Sequence, residues 1–126
     1  FNNDQNFDLV VINSGSNNIS VLLNNGNGTF GNATNYEVGD GPTFISTNDI
    51  NSNGIIDLVV VNSDSNTISV LFGDGIGGFQ TQIKYATDDI PTSVVLGDFN
   101  NDNKPDMAVT NGQDNDLSIY ENVCNA

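Results

Sequence analysis

The sequence Asp57-Leu-Val-Val-Val-Asn62 lies near the middle of the chain and has two close copies, each 49 residues away. The earlier copy is Asp8-Leu-Val-Val-Ile-Asn13, and the later one is Asp106-Met-Ala-Val-Thr-Asn111. Each copy is a short, mainly apolar run that begins with Asp and ends with Asn. Such a run is typical of a β-strand bounded by turns. The fixed spacing indicates a tandem repeat.

The similarity extends well beyond this strand. Residues 1–48 align with residues 50–97 without a gap, and 20 of the 48 aligned residues are identical. The pattern Gly-x-Gly-x-Phe, for example, ends at Phe30 in the first unit and at Phe79 in the second. We therefore divide the chain into repeat 1 (1–48), repeat 2 (49–97) and an incomplete repeat 3 (98–126).

Each unit is predicted to contain four short strands with turn residues between them. In the second unit the predicted strands are about Thr43–Thr47, Asp57–Asn62, Ile68–Phe72 and Gln82–Ala86. The run from Leu58 to Val61 is apolar on both faces, as an inner strand between neighbouring sheets would be. Four strands in a repeat of roughly 40 to 50 residues are typical of a β-propeller blade. The fold class is therefore predicted to be all-β, with about two and a half blades of four antiparallel strands.

The composition excludes several classes of function. The chain of 126 residues has 2 Lys+Arg against 16 Asp+Glu, which gives a formal net charge of -14. Such a surface repels nucleic-acid phosphates, and it repels anionic lipid headgroups unless a divalent cation bridges the two. No apolar run approaches the length of about 20 residues that a membrane helix needs, so direct membrane insertion is not expected. The one cysteine, Cys124, has no internal disulfide partner, and it is either inert or pairs outside this chain.

An acidic loop precedes the second strand of each unit. In the third unit it runs Asp98-Phe-Asn100-Asn-Asp102-Asn-Lys104-Pro-Asp106, so that oxygen-bearing side chains stand at loop positions 1, 3, 5 and 9. The backbone carbonyl at position 7, Lys104, can supply a further oxygen. Ca²⁺ prefers six to eight oxygen ligands with tolerant geometry, whereas Zn²⁺ would favour His or Cys. The chain contains no His.

The other two loops follow the same pattern with differences. The second loop, Asp49 to Asp57, keeps the alternation and has Gly54 at position 6, where left-handed backbone is expected. It has two carboxylates where the third loop has three, so we expect weaker binding. The first loop lacks position 1, and Gln5 stands at its position 6. Asx-rich turns without a metal are the alternative, but three loops in register favour metal binding.

The motif Gly97-Asp-Phe-Asn-Asn-Asp-Asn-Lys-Pro-Asp-Met-Ala-Val109, together with Ile68-Ser-Val-Leu-Phe-Gly-Asp-Gly-x-Gly-Gly-Phe79, resembles FG-GAP/VCBS repeats. These repeats form the propeller of integrin α-subunits and occur in many secreted proteins. The resemblance covers essentially the whole chain. It implies a propeller with Ca²⁺ in the loop between the first and second strands of a blade.

The resemblance also implies the ligands, position by position. In the third loop they are Asp98, Asn100, Asp102, Lys104 through its carbonyl, and Asp106; in the second they are Asp49, Asn51, Asn53, Ile55 through its carbonyl, and Asp57. The first loop offers Asn2, Asp4, Asn6 and Asp8, but its missing position 1 departs from the family pattern.

Three N-x-Ser/Thr sequons, at Asn18, Asn27 and Asn32, fall in predicted turns of the first unit. They are candidate glycosylation sites in a secreted protein, although chance sequons are expected in a chain so rich in Asn, Ser and Thr.

The aromatic residues have two interpretations. Tyr36, Tyr85 and Tyr120 offer a sugar-stacking platform, but packing between blades explains them more simply. Phe30 and Phe79 are predicted to be core residues that fill the space between blades.

Catalysis has little support in the sequence, because Lys84 and Lys104 are the chain's basic residues and the calcium loops account for most carboxylates. We predict a noncatalytic, extracellular adhesion or ligand-binding module, with a protein or glycan as a possible ligand. The alternative is a structural repeat subunit of an extracellular fibre or assembly. Ten strands in a 3+4+3 arrangement cannot close a ring, since propellers have at least about four blades. The expected partners are therefore further blades of the same propeller or neighbouring copies of the chain.

Overall fold

The computed structural model describes residues 1–122, which form ten β-strands and one short 3₁₀ turn, Ser14–Ser16. The strands are β1 (Leu9–Asn13), β2 (Asn18–Leu22), β3 (Thr34–Glu37), β4 (Pro42–Asn48), β5 (Asp57–Asn62), β6 (Thr67–Leu71), β7 (Ile83–Ala86), β8 (Pro91–Gly97), β9 (Asp106–Asn111) and β10 (Asp116–Tyr120). The prediction of an all-β fold is confirmed. Within the described range, no helix is long and apolar enough to cross a membrane.

The strands form three antiparallel sheets. The first sheet is β1-β2-β3, the middle sheet is β4-β5-β6-β7, and the third sheet is ordered β10-β9-β8. All four strands of the middle sheet lie within one residue of their predicted bounds. The sheets are offset from the sequence repeats, because β4 precedes Asp49 in the chain but pairs with β5. Each acidic loop therefore leads into the strand of the Asp-Leu-Val-Val type, which is β1, β5 or β9 in the three sheets.

Strand β5 is covered on both sides. Leu58 and Val60 pack in one apolar cluster with residues of β2 in the first sheet, whereas Val59 and Val61 pack in another with residues of β8 and β9 in the third sheet. All four side chains are fully buried. The prediction of an inner strand between two sheets is thus confirmed, and alternate side chains of one strand hold the three sheets together.

One of the two predicted core phenylalanines is exposed. Phe79 packs between the first and middle sheets, with its ring 5.3 Å from that of Phe1 and 5.6 Å from that of Tyr36, both edge-on. Phe30, at the same repeat position, is 37% exposed, because no sheet in the described residues covers that side of the first sheet. Tyr85, the counterpart of Tyr36, is 42% exposed, so its predicted packing between blades is wrong for residues 1–122.

Candidate metal centre

The three acidic loops share one backbone conformation. Positions 4 and 6 of every loop have positive φ angles. The residues are Asn3 (63°) and Gln5 (68°), Ser52 (59°) and Gly54 (81°), and Asn101 (61°) and Asn103 (65°). The sequence predicted left-handed backbone at position 6 but not at position 4. In each loop, position 5 therefore lies between two residues with left-handed backbone.

In the third loop, side-chain oxygens from positions 1 and 3 converge on a single N–H group. The backbone N–H of Asp102 donates to Asp98 Oδ1 at 3.0 Å and to Asn100 Oδ1 at 3.0 Å. The other oxygen of Asp98 accepts from the N–H of Asn103 at 2.9 Å, and Asp102 Oδ1 accepts from the N–H of Lys104 at 2.9 Å. Three oxygen-bearing side chains are thereby held on the inner side of one turn.

The second loop repeats these contacts in register. The N–H of Asn53 donates to Asp49 Oδ1 at 3.0 Å and to Asn51 Oδ1 at 3.2 Å. Asp49 Oδ2 accepts from the N–H of Gly54 at 2.7 Å, and Asn53 Oδ1 accepts from the N–H of Ile55 at 2.8 Å. The arrangement is therefore a property of the loop pattern and does not depend on the particular residues at the even positions.

The first loop keeps the part of the pattern that its residues can supply. Asn2 Oδ1 accepts from the N–H of Asp4 at 3.4 Å, and Asp4 Oδ1 accepts from the N–H of Asn6 at 2.9 Å. The hydrogen bond from Asn6 is the main cause that lowers the pKa of the exposed Asp4 carboxyl below its usual value.

The Asp at position 9 has a second role that the sequence did not reveal. Asp57 is fully buried, and its two carboxylate oxygens accept from the backbone N–H groups of Ile50 and Gly73, each at 2.9 Å. Asp106 accepts in the same way from Phe99 at 3.0 Å and from Asn122 at 2.8 Å. This carboxylate therefore ties the start of the loop to the end of the third strand.

Asp8 completes the set in the first loop. Its side chain is almost fully buried, and its oxygens accept from the amino group of Phe1 and from the N–H of Asn24, the latter at 2.9 Å. The recurrence of Asp at position 9 is the sequence signal for this clamp, but nothing local shows that its partner lies 16 residues farther along the chain.

The donor set fits a hard cation. Carboxylate and amide oxygens at positions 1, 3 and 5 share one side of the turn, and the carboxylate at position 9 keeps lone pairs beyond its two accepted hydrogen bonds. Among residues 1–122, no three acidic side chains form a metal-binding group by themselves. A cation in these loops therefore needs the Asn side chains and a main-chain carbonyl as well as the carboxylates.

A family model described as FG-GAP-like repeat matches residues 1–48 and 49–109. The chain belongs to the FG-GAP-like repeat family. Membership in this family indicates a β-propeller-like repeat module, and such repeats are in general noncatalytic. No match was found among curated proteins, and none among solved structures.

Other predicted residues of these FG-GAP-like repeats lie apart from the loops. Asn27 and Asn32 are exposed and outside the strands, as predicted. Asn18, however, is the first residue of β2 and not part of a turn, because it pairs with Asn13 in the β1–β2 ladder. Its Oδ1 accepts from Asn13 Nδ2 at 2.8 Å. Cys124 lies outside the described residues.

Proposed function

We propose that these FG-GAP-like repeats form part of a noncatalytic, extracellular β-propeller module whose acidic loops bind Ca²⁺ and which acts in adhesion or in binding a protein or glycan ligand. The observation that carries the proposal is the shared loop geometry. In both complete loops, two side-chain oxygens converge on the N–H of position 5. A loop that needed only a tight turn would not require oxygen-bearing side chains at every odd position from 1 to 5.

The proposed ligands follow the loop positions. The tighter site uses the side chains of Asp98, Asn100, Asp102 and Asp106 with the carbonyl of Lys104, and the second uses Asp49, Asn51, Asn53 and Asp57 with the carbonyl of Ile55. Asn2, Asp4, Asn6 and Asp8 contribute positions 3, 5, 7 and 9 of a third site. Bound Ca²⁺ would neutralise the crowded carboxylates and link the two ends of each loop.

An extracellular location suits loops of this kind. The side chains at positions 3 and 5 of the third loop, Asn100 and Asp102, are exposed, and each complete loop carries two or three carboxylates. Few carboxylates and an open turn favour dissociation constants of about 10⁻⁴ to 10⁻³ M, which is the range of extracellular calcium modules. Such sites would be filled outside the cell and empty in the cytosol.

The exposed faces of the outer sheets support a propeller with further blades. Leu9 and Val11 of β1 stand at the repeat positions of Leu58 and Val60, yet both are exposed where their counterparts are buried. On the opposite side of the three-sheet stack, Leu117 and Ile119 of β10 are also exposed. Each outer face thus matches a face that is covered inside the chain. The partners would be remaining blades or neighbouring copies, and the latter also suits the alternative role of a structural repeat subunit.

Calcium binding is tested by thermal unfolding of the 126-residue chain in Ca²⁺, in Mg²⁺ and in excess chelator. At a Ca²⁺ concentration 100 times Kd, one site raises the free energy of unfolding by about 2.7 kcal/mol. Asp102→Asn should weaken this effect, because it removes a charge but keeps the oxygen that accepts from Lys104. Asp64→Asn is the matched control, since Asp64 is exposed in the turn between β5 and β6.

Identical unfolding curves in Ca²⁺ and chelator, or equal losses in the two variants, would contradict the proposed site. The role of the module is tested by binding of the chain to immobilised glycans and matrix proteins, with and without Ca²⁺. Calcium-dependent binding by a monomer supports adhesion. Calcium-dependent end-to-end assembly in sedimentation velocity, without ligand binding, would favour the structural alternative.

A further inference from the structure

The chain contains four Asn-Gly pairs, which begin at Asn25, Asn27, Asn53 and Asn111. Glycine has no side chain to shield its backbone nitrogen, so this nitrogen reaches the side-chain amide of the preceding asparagine more easily than that of a larger residue does. Attack on the amide carbon closes a succinimide ring and releases ammonia, and water then opens the ring to a carboxylate. Whether a given pair reacts depends on what holds the glycine N–H and the asparagine amide.

The structure places two reactive contacts on the pair Asn53-Gly54. Both residues are exposed, and no atom beyond the chain neighbours lies within 4 Å of the position that a Cβ would take on Gly54. The N–H of Gly54 donates to Asp49 Oδ2 at 2.7 Å, so a carboxylate already lies on the proton that the nitrogen must lose. Asn53 Oδ1 accepts from the N–H of Ile55 at 2.8 Å, which stabilises negative charge on that oxygen when its carbonyl is attacked.

The two pairs in the turn between β2 and β3 lack this combination. The N–H of Gly26 donates to the side-chain amide oxygen of Asn24 at 2.8 Å, and an amide oxygen is a far weaker base than a carboxylate. Asn27 Oδ1 accepts from the N–H of Thr29 at 3.1 Å, but within residues 1–122 no carboxylate accepts the N–H of Gly28. These pairs are exposed Asn-Gly sites without the base, which makes them internal controls.

The fourth pair is held in the third sheet. Asn111 ends β9 and is buried, and its Nδ2 donates to Asp116 Oδ1 and to Ser118 Oγ, each at 2.9 Å. The N–H of Gly112 donates to the carbonyl oxygen of Ile90 at 2.8 Å. The amide is thereby withheld from the glycine nitrogen. Of the four pairs, all within the described residues, the one in the second acidic loop is alone in combining exposure, a base and a stabilised oxygen.

The internal repeat shows that an aspartate fits at position 53. The residues at the same loop position are Asp4 in the first loop and Asp102 in the third. Each accepts through Oδ1 from the backbone N–H two residues farther along the chain at 2.9 Å, which is the contact that Asn53 Oδ1 makes with Ile55. Neither of these aspartates is followed by glycine. Conversion of Asn53 therefore gives the second loop a side chain that the other two loops already encode.

We propose that Asn53 is a site of self-catalysed deamidation, which changes the second acidic loop from two carboxylates to three. The Gly54 nitrogen bonds to the Asn53 amide carbon while its proton passes to Asp49. That proton is then transferred to the departing amide nitrogen, the C–N bond of the amide breaks, and ammonia leaves. Solvent water adds to the succinimide and breaks one of its ring C–N bonds. Addition at the side-chain carbonyl gives aspartate, and addition at the main-chain carbonyl gives isoaspartate.

The consequence for calcium rests on the proposed Ca²⁺ function of the loops. In the aspartate form, Asp49, position 53 and Asp57 supply three carboxylates, which is the number in the third loop. The affinity of such loops for Ca²⁺ is set in part by the number of charged ligands. The second site therefore tightens as the molecule ages, whereas the third loop has aspartate at its position 5 from the start.

The conversion is measured by peptide mapping of the 126-residue chain during incubation in excess chelator at neutral pH. Mass spectrometry detects the exchange of an amide for a carboxylate at each site, and electron-transfer fragmentation distinguishes aspartate from isoaspartate. Asn53 should lose its amide at least about tenfold faster than Asn25 or Asn27 in the same sample, and Asn111 should react most slowly. In urea, where the loop contacts are absent, the rates at the four sites should become similar.

Matched variants test the contact with Asp49. Asp49→Asn keeps the shape of the acceptor and removes the base, so conversion at Asn53 should slow by about tenfold or more while the rates at Asn25 and Asn27 stay unchanged. Asp98→Asn makes the same change at position 1 of the third loop and should leave the Asn53 rate unchanged. An Asn53 rate no higher than that of Asn27 in the folded chain, or equal Asn53 rates in the two variants, would overturn the proposal. The first of these outcomes needs no variant, so it decides the question even if Asp49→Asn does not fold.

Calcium binding is a separate measurement. Anion-exchange chromatography isolates the converted chain, which has gained a negative charge, and calorimetry compares its Ca²⁺ affinity with that of the fresh chain. Asn53→Asp gives the same loop without incubation, and it should bind Ca²⁺ in the second loop roughly tenfold more tightly than the fresh chain. If neither sample responds to Ca²⁺, the proposed function fails while the deamidation stands. If Asn53→Asp responds but Asn53 keeps its amide on incubation, the deamidation fails while the proposed function stands.

Discussion

Replacing Asp57 by asparagine changes one atom of a fully buried side chain whose two oxygens each accept a backbone N–H. The donors are Ile50 and Gly73, both at 2.9 Å. Asparagine can accept from one of them, but its amide nitrogen then faces the N–H of the other. The variant therefore tests whether this carboxylate holds the loop against the end of β6.

The magnitude follows from the two hydrogen bonds. A hydrogen bond to a charged group contributes about 1.5 to 3 kcal/mol, and a buried donor left without a partner costs about 1 to 3 kcal/mol. These terms overlap, so we expect the free energy of unfolding to fall by about 3 kcal/mol. For a chain of this size, 1 kcal/mol corresponds to roughly 3 to 6 °C in Tm. The predicted fall in Tm is about 10 °C or more.

The assay is thermal unfolding followed by circular dichroism in excess chelator, since Asp57 is also a proposed Ca²⁺ ligand. Asp64→Asn makes the same chemical change at an exposed position, and it should move Tm by about 2 °C at most. If Asp57→Asn unfolds within 2 °C of this control, the clamp does not stabilise the fold and the reasoning fails.

Two further predictions use pairs of equivalent or comparable positions. Val60→Ala should lower the free energy of unfolding, measured by chemical denaturation, by about 2 kcal/mol because Val60 is fully buried. Val11→Ala, at the same repeat position but 44% exposed, should lower it by under about 1 kcal/mol. Equal losses would mean that the outer face of the first sheet is covered in solution. Gly54→Ala should cost about 1 to 2 kcal/mol because Gly54 has a φ of +81° and nothing within 4 Å of an added Cβ, so that backbone strain is the sole cause. Gly15→Ala, also with open space but without a positive φ, should be close to neutral, and the same loss in both would exclude strain as the cause.

The strands and loops were largely predictable because both depend on local patterns. The run from Leu58 to Val61 is long enough for one strand and apolar at every position, which predicted burial on both faces. Glycine at position 6 of the second loop predicted the left-handed backbone, and the alternation of Asp and Asn predicted the turn that contains it. Each of these inferences needs only residues within one turn or one strand.

The contacts of the Asp at position 9 could not be derived in this way. In the sequence, Asp57 is one more oxygen-bearing residue at the end of an acidic loop. Its burial and the hydrogen bond that it accepts from the N–H of Gly73 arise when β5 pairs with β6. Residues 58–72, which lie between the two partners, include the rest of β5, a turn and β6, and the direction of β6 brings Gly73 to Asp57. The sequence therefore identified the residue, and the sheet assigned its role.

The tertiary structure also determines where each repeat lies in the stack of three sheets. The repeat makes Val11 equivalent to Val60 and Phe30 equivalent to Phe79, and the sequence by itself determined that each pair has the same strand or turn conformation. The structure buries Val60 and packs Phe79 in a core cluster but leaves Val11 and Phe30 exposed. Conformation follows from short-range sterics and hydrogen bonding along the chain, which every repeat shares. Burial requires a second apolar surface against the first, and within residues 1–122 only the middle sheet has one on both sides.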